Sequence, residues 1–262
     1  MEGARVAAKN SPLAERLAEV KGKIAAAARK AGRDPSEVTL IAVTKTAAPE
    51  QVREILQLGV GDLGESRVQV FTQKASQVNE FYQRLKKGGE ADGIAPRLRW
   101  HMIGHLQRNK VKPILPLVDF VHSVDSLRLA EEIEVAAGKL DKKVPVLLQV
   151  NASEEKSKFG VAVGAAVHLA EQIASMSHVA LVGLMTMAPH TEDKAVARAA
   201  FVRTREIFEE CKWHKLGGAG FKHLSMGMSN DFELAVAEGA TMLRIGSALF
   251  GGKVQDHEEP EE

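Results

Sequence analysis

The chain carries a series of short apolar runs without inside–outside alternation, and this pattern restricts its fold more than anything else in the sequence. Thr39-Leu-Ile-Ala-Val-Thr44 is the first. A strand wetted on one face alternates polar and apolar residues, whereas an unbroken run suits a parallel strand covered on both faces. Similar runs follow over residues 62–65, 99–103, 118–124, 144–151, 180–186, 223–226 and 242–245. Between most of them apolar residues recur at helical spacing, as in Leu129, Ile133 and Ala136, in Leu169, Ile173 and Met176, and in Ala197, Phe201, Phe208 and Cys211. Strand and helix alternating without hairpin signals means βαβ units. Eight strands favour a closed barrel over an open doubly wound sheet. The first strand is not followed by a Gly-x-Gly-x-x-Gly turn, which agrees. The expected fold is α/β, a single (β/α)8 TIM-type barrel.

An extra helix precedes the barrel. Ser11-Pro12 reads as an N-cap with proline at the first helical position. Leu13, Leu17, Val20, Ile24 and Ala28 then mark a buried face, and Gly32 ends the helix. The length of 262 residues fits one such barrel, which runs to roughly 250. The barrel is assigned to residues 1–250. Residues 251–262, with Asp256, Glu258, Glu259, Glu261 and Glu262, are an acidic tail expected to be disordered. The net charge of +1 argues against a general binder of nucleic acid or membrane surfaces. Cys211 is the single cysteine, so no internal disulfide forms and a reducing, cytoplasmic setting is expected. Neither a membrane span nor a secretory signal is read.

A parallel barrel places its site at the carboxyl ends of the strands. Lys45, Glu65-Ser66, His105, Ser123, Asn151, Thr186, Ser225 and Arg244 stand there. Lys45 has two readings. It is a stem that snorkels to solvent, or an amine in a partly desolvated pocket, where a lowered pKa frees the neutral form that condenses with an aldehyde. Ser225-Met226-Gly227-Met228-Ser229 follows the seventh strand, and Arg244-Ile245-Gly246-Ser247 the eighth. Gly227 permits a tight turn, Ser229 can cap the next helix, and Gly246 allows close approach of a ligand. Loops at these two positions in a barrel suit a phosphate. His101 and His105 are four apart, but Gly104 interrupts and no carboxylate is near in sequence, so a metal site is not expected. Residues 154–158 read as a charged loop over the barrel mouth, with Lys156 and Lys158 as further amines. Tyr82, the only tyrosine, is expected at the exposed end of a helix.

Seven blocks then carry a resemblance. They are Ile41-Ala-Val-Thr-Lys45-Thr, Gly64-Glu-Ser-Arg-Val-Gln69, Trp100-His-Met-Ile-Gly-His-Leu-Gln-Arg-Asn-Lys110, Val121-His-Ser-Val-Asp-Ser126, Gly183-Leu-Met-Thr-Met187, Leu224-Ser-Met-Gly-Met-Ser-Asn-Asp-Phe-Glu233 and Arg244-Ile-Gly-Ser247. From about Leu13 to Gly251 the chain closely resembles the pyridoxal phosphate homeostasis protein family. The resemblance implies a barrel like the N-terminal domain of alanine racemase, with pyridoxal 5′-phosphate (PLP) held as an internal aldimine on Lys45. It implies Ser225, Gly246 and Ser247 as phosphate-binding positions, with Met226 and Gly227 in the same loop, and Arg244 as the arginine that faces the pyridine nitrogen. Ser66 is counted as cofactor-binding too, offering a hydroxyl where the family usually has an asparagine amide.

The implied role is PLP (vitamin B6) homeostasis without robust catalytic turnover. PLP itself and apo PLP-dependent enzymes as recipients are the implied partners, and the chain is expected to be a monomer. Arg244 supports that reading, because its permanent charge disfavours protonation of the ring nitrogen and weakens the ring as an electron sink. In alanine racemase-type enzymes a second domain of the partner subunit contributes a tyrosine, and this chain is expected to have no such domain. The alternatives are a single-domain PLP-dependent amino-acid racemase or related enzyme, and a Schiff-base aldolase that uses Lys45 without PLP.

Overall fold

The computed structural model describes residues 11–87, 94–155 and 158–251. The acidic tail beyond Gly251 and Lys156 lie outside the described residues. Ser11 opens the first helix, α1 (Pro12–Lys30), its hydroxyl accepting from the Ala14 amide at 3.1 Å with Pro12 behind it. Leu13, Leu17, Val20, Ile24 and Ala28 are its buried face.

Nine strands follow, all in parallel pairings. They are β1 (Thr39–Val43), β2 (Asp62–Glu65), β3 (Arg99–Met102), β4 (Phe120–Val124), β5 (Val144–Asn151), β6 (Val161–Ala162), β7 (Val179–Met185), β8 (His223–Ser225) and β9 (Met242–Ile245). Their order is β4-β3-β2-β1-β9-β8-β7-β5, and a β4–β5 pairing closes the ring. The two-residue β6 is an appendage on β5, so eight strands form the barrel. All eight predicted runs are strands, three of them with the same ends and the others displaced by one or two residues, as expected where burial and not the hydrogen-bond ladder was read.

Helices α2 (Pro49–Gln57), α3 (Val68–Lys87), α4 (Val111–Ile114), α5 (Leu127–Gly138), α6 (Ala166–Ala174), α7 (Lys194–Trp213), α8 (Phe232–Ala237) and α9 (Ser247–Phe250) cover the barrel. The helix after β9 is a single turn, too short to cover its strand. Helix α1 packs against α8, α9 and α2, the helices around the β9–β1 seam. The extra helix thus supplies the missing cover.

Two apolar clusters separate the faces of the sheet. The larger lies between strands and helices and takes Ala42, Leu63, Trp100, Leu148, Leu224 and Leu243. The smaller fills the barrel itself with Ile41, Leu147, Met185 and Met242. Inward residues recur at every second position. Ile41 points inward, and Val43 and Lys45 share its parity.

Tyr82 departs from expectation. It is buried, and its hydroxyl donates to the Ala95 carbonyl at 2.9 Å, because the segment before β3 crosses that end of α3.

Candidate functional site

The site is built where β1 meets β9. Ile41 is in register with Arg244, and a side chain placed on Gly246 would lie 3.4 Å from Val43 Cβ. Lys45 follows this seam two residues later. It is exposed, and its amine has no hydrogen bond or ion pair among the described residues. Nothing among the described residues buries it, so of the two readings the exposed one describes the side chain here.

Arg244 presents the opposite case. Its side chain points into the barrel and is only 4% exposed. Nη1 donates to Ser225 Oγ at 2.7 Å and Nη2 to the Thr186 carbonyl at 2.9 Å. No carboxylate pairs with it among the described residues. Burial pulls the guanidinium down to about 10, against a weak opposing pull from Asp231, so it remains a cation at neutral pH. A buried arginine held by neutral groups keeps its charge available to whatever occupies the mouth.

Ser225, implied as a phosphate-binding position, lies in the strand and not in the loop beyond it. It ends β8, faces inward, is wholly buried, and its hydroxyl lies between Arg244 and His122 Nδ1, the latter at 2.8 Å. Met226 turns the other way, into the cluster beneath the helices, and its amide is bound to the Met242 carbonyl. The turn comes at Gly227, whose φ of +93° is left-handed. A Cβ there would stand 2.5 Å from Ala235 Cβ, so only glycine fits.

Beyond that turn Ser229 meets backbone amides. Its hydroxyl oxygen receives the Gly246 amide at 3.3 Å and the Ala248 amide at 3.2 Å. It does not cap α8; the N-cap is Asp231, whose carboxylate receives the Met228 amide. Both amides are thus satisfied by one hydroxyl oxygen, beside the half-buried Ser247. Ser66 is half-buried, with its backbone against Gly104, and its hydroxyl makes no hydrogen bond among the described residues.

Across the mouth, His105 stacks on Phe159 with ring centroids 3.8 Å apart. Lys158 is engaged by Glu155 at 3.0 Å and by the Ala188 carbonyl at 2.9 Å, so it is not a free amine. His101 and His105 separate: His101 points into the barrel and His105 sits in the loop beyond β3. Sequence reading took Ser229 only as a helix cap, weighed His101 only as half of a metal pair with His105, and assigned His122 no role. The available signal was parity, since His101 and His122 both sit at inward positions of their strands.

Residues 16–254 match the family model described as alanine racemase, N-terminal domain. The chain is 39% identical over 237 residues to the pyridoxal phosphate homeostasis protein of Aquifex aeolicus, covering 90% of this chain and 96% of that one. It is 39% identical over 243 residues to the pyridoxal phosphate homeostasis protein of Pseudomonas aeruginosa, covering 93% and 96%. Among solved structures, PipY of Synechococcus elongatus PCC7942 with PLP bound superposes with a TM-score of 0.74 at 33% identity, covering 91% of this chain and 100% of that one. The chain therefore belongs to the pyridoxal phosphate homeostasis protein family, on the fold of the alanine racemase N-terminal domain.

Proposed function

We propose that this chain binds PLP through Lys45 Nζ and holds it for intracellular homeostasis, without robust turnover. The observation that carries the reading is an exposed amine just beyond β1 beside a buried arginine on the adjacent β9, the first without a partner and the second without a carboxylate paired to it among the described residues. The residues present fit the group. Lys45 supplies the attachment point. A phosphate would lie beside Ser247, where the Gly246 and Ala248 amides could turn to it from Ser229, which now receives them, and Gly227 sets the turn that brings these groups together. Ser66 has an uncommitted hydroxyl to offer. When bound, PLP supplies an electrophilic carbonyl and an electron-withdrawing ring.

The chain's own groups favour holding over transformation. Arg244 keeps a fixed positive charge facing the mouth and so opposes protonation of a ring nitrogen placed beside it. Tyr82, the sole tyrosine, lies on α3 with its hydroxyl committed to Ala95, away from the strand ends, so it is no acid or base for this site. Cys211 is buried and its thiol is pushed up to about 11 by burial, which leaves it unreactive. Among the described residues no helix is long and apolar enough to cross a membrane. A monomer in the cytoplasm, delivering PLP to apo PLP-dependent enzymes, completes the proposal.

The test separates carrier from enzyme. The PLP-loaded protein is incubated in heavy water with a panel of L-amino acids, and separately with an apo PLP-dependent enzyme. Activation of the apoenzyme with less than one α-proton exchanged per protein is the expected result. Multiple-turnover exchange with any amino acid overturns it.

A further inference from the structure

Asp62, His101, His122, Ser225 and Arg244 come from β2, β3, β4, β8 and β9, and inside the barrel they form one continuous chain. His101 Nε2 lies 2.9 Å from Asp62 Oδ1, and His101 Nδ1 lies 2.9 Å from His122 Nε2. His122 Nδ1 lies 2.8 Å from Ser225 Oγ, which accepts from Arg244 Nη1 at 2.7 Å. Both imidazoles are wholly buried. Phe120 stacks on His101 at 4.9 Å and meets His122 edge-on, so the surroundings are apolar.

Proton counting gives the chain one direction. Arg244 can only donate, so Ser225 Oγ accepts from it, and the single serine hydrogen goes to the other partner, His122 Nδ1. A neutral His122 then carries its proton on Nε2 and donates to His101 Nδ1. His101 in turn carries its proton on Nε2 and donates to Asp62. The far end gives the same answer independently. Burial disfavours the Asp62 charge, but Arg99 meets both carboxylate oxygens, at 2.7 and 2.8 Å, and holds it ionised, so it accepts from His101 Nε2. The reverse direction would set two acceptors against each other at Asp62 and leave the serine hydrogen without a partner.

We infer that His122 and His101 are positioning residues for Arg244. Anchored at Asp62, they lock the Ser225 hydroxyl as an acceptor toward the guanidinium and so fix the arginine's direction at the mouth. The logic is that of a histidine whose tautomer is set by the group behind it. Ser225 is no nucleophile here, since it is wholly buried and its oxygen already receives Arg244. The groups facing the chain are charged as the scheme requires. Arg99 balances Asp62, burial and the neighbouring Arg244 oppose a second cation on His122, and burial keeps His101 and His223 neutral. Asp119 faces His101, and Asp231 faces Arg244, too far to pair with either.

The role toward the cofactor rests on the function proposed above, so the test has two arms. The first uses the full chain without PLP and reads the imidazole nitrogens by proton–nitrogen correlation, with His101 and His122 assigned from their single variants. Both are expected as Nε2–H tautomers, unchanged across the range in which a free histidine titrates, about pH 5 to 8. A proton on Nδ1 of either one, or titration of either in that range, overturns the chain whether or not PLP binds. The second arm measures PLP affinity and the absorbance maximum of the bound cofactor in His122→Leu and His122→Asn. Leucine removes the acceptor for Ser225, and affinity is expected to fall about tenfold with a shifted maximum. Asparagine keeps an acceptor oxygen near the Nδ1 position and is expected to restore most of both. Leucine without effect, or asparagine no better than leucine, overturns the positioning role. Absence of PLP binding by the wild-type chain counts against the proposed function and leaves the first arm to decide the chain.

Discussion

Inside the barrel, the lower polar groups and the groups at the mouth are treated in opposite ways. Asp62, His101, His122 and Ser225 are each bonded to the next, and Arg244 closes the series. One turn of chain further on, Lys45 has no partner among the described residues, and the hydroxyls of Ser66 and Ser247 make no hydrogen bond. Burial explains the first region, since an unpaired polar group in a dry interior costs about 1–3 kcal/mol. The second region is wet and tolerates open valences. The difference teaches which groups belong to the fold and which belong to a ligand. Arg244 stands at the border: two of its donors are spent inside, and its charge is not cancelled by a carboxylate.

The largest effect expected from this contrast is at Lys45. Lys45→Ala should abolish covalent PLP attachment completely while leaving the thermal midpoint unchanged, because an exposed side chain without partners contributes little to stability. Absorbance of the bound cofactor and a thermal melt check both halves. Next comes Ser247→Asp, which places a negative charge where the phosphate is proposed. PLP affinity should drop about tenfold to a hundredfold by equilibrium dialysis, with the fold intact.

Gly227→Ala acts on the fold and the site together. The left-handed backbone and the 2.5 Å contact with Ala235 should cost about 2–4 kcal/mol in urea unfolding. The smallest effect is a slope. Burial lowers the pKa of His101 and lowers that of His122 well below the ordinary value, so the unfolded state binds more protons than the folded state below about pH 6.5. Their stabilisation is full above that pH and is lost as pH falls further. Urea unfolding at several pH values between about 4 and 7 should show the acid limb flattened by up to about 1.4 kcal/mol per pH unit in His122→Asn. An unchanged limb would mean that His122 is not held neutral by the barrel.

Much of this was legible in the chain because it depends on local period. Unbroken apolar runs announced the eight strands, and the position of Lys45 just after the first of them placed it at the mouth. Arg244 was legible for the same reason. Its burial was not, since that depends on the inward parity of β9 and on the neighbours that fill the barrel. Ser225 and Ser229 could not be told apart in sequence, because both are serines in one glycine-containing stretch. Only the turn at Gly227 decides which of them faces the interior and which meets the Gly246 and Ala248 amides. The histidine chain was beyond sequence reading. Asp62, His101, His122 and Ser225 lie on four strands, and the stagger of those strands around the barrel sets which inward residues come level. The exposed state of Lys45 was one of two readings the sequence left open, since one loop residue's surroundings are set by the loops opposite it.

The central claim is that Lys45 is the attachment point, and its most direct measurement is chemical. The purified protein is titrated with PLP, followed by visible absorbance, reduced with borohydride, digested and mapped by mass. The account predicts a coloured protein that loses its colour on reduction and carries one pyridoxyl group, on Lys45. A pyridoxyl group on Lys158 or another lysine with Lys45 unmodified, or no coloured species at saturating PLP, would contradict it.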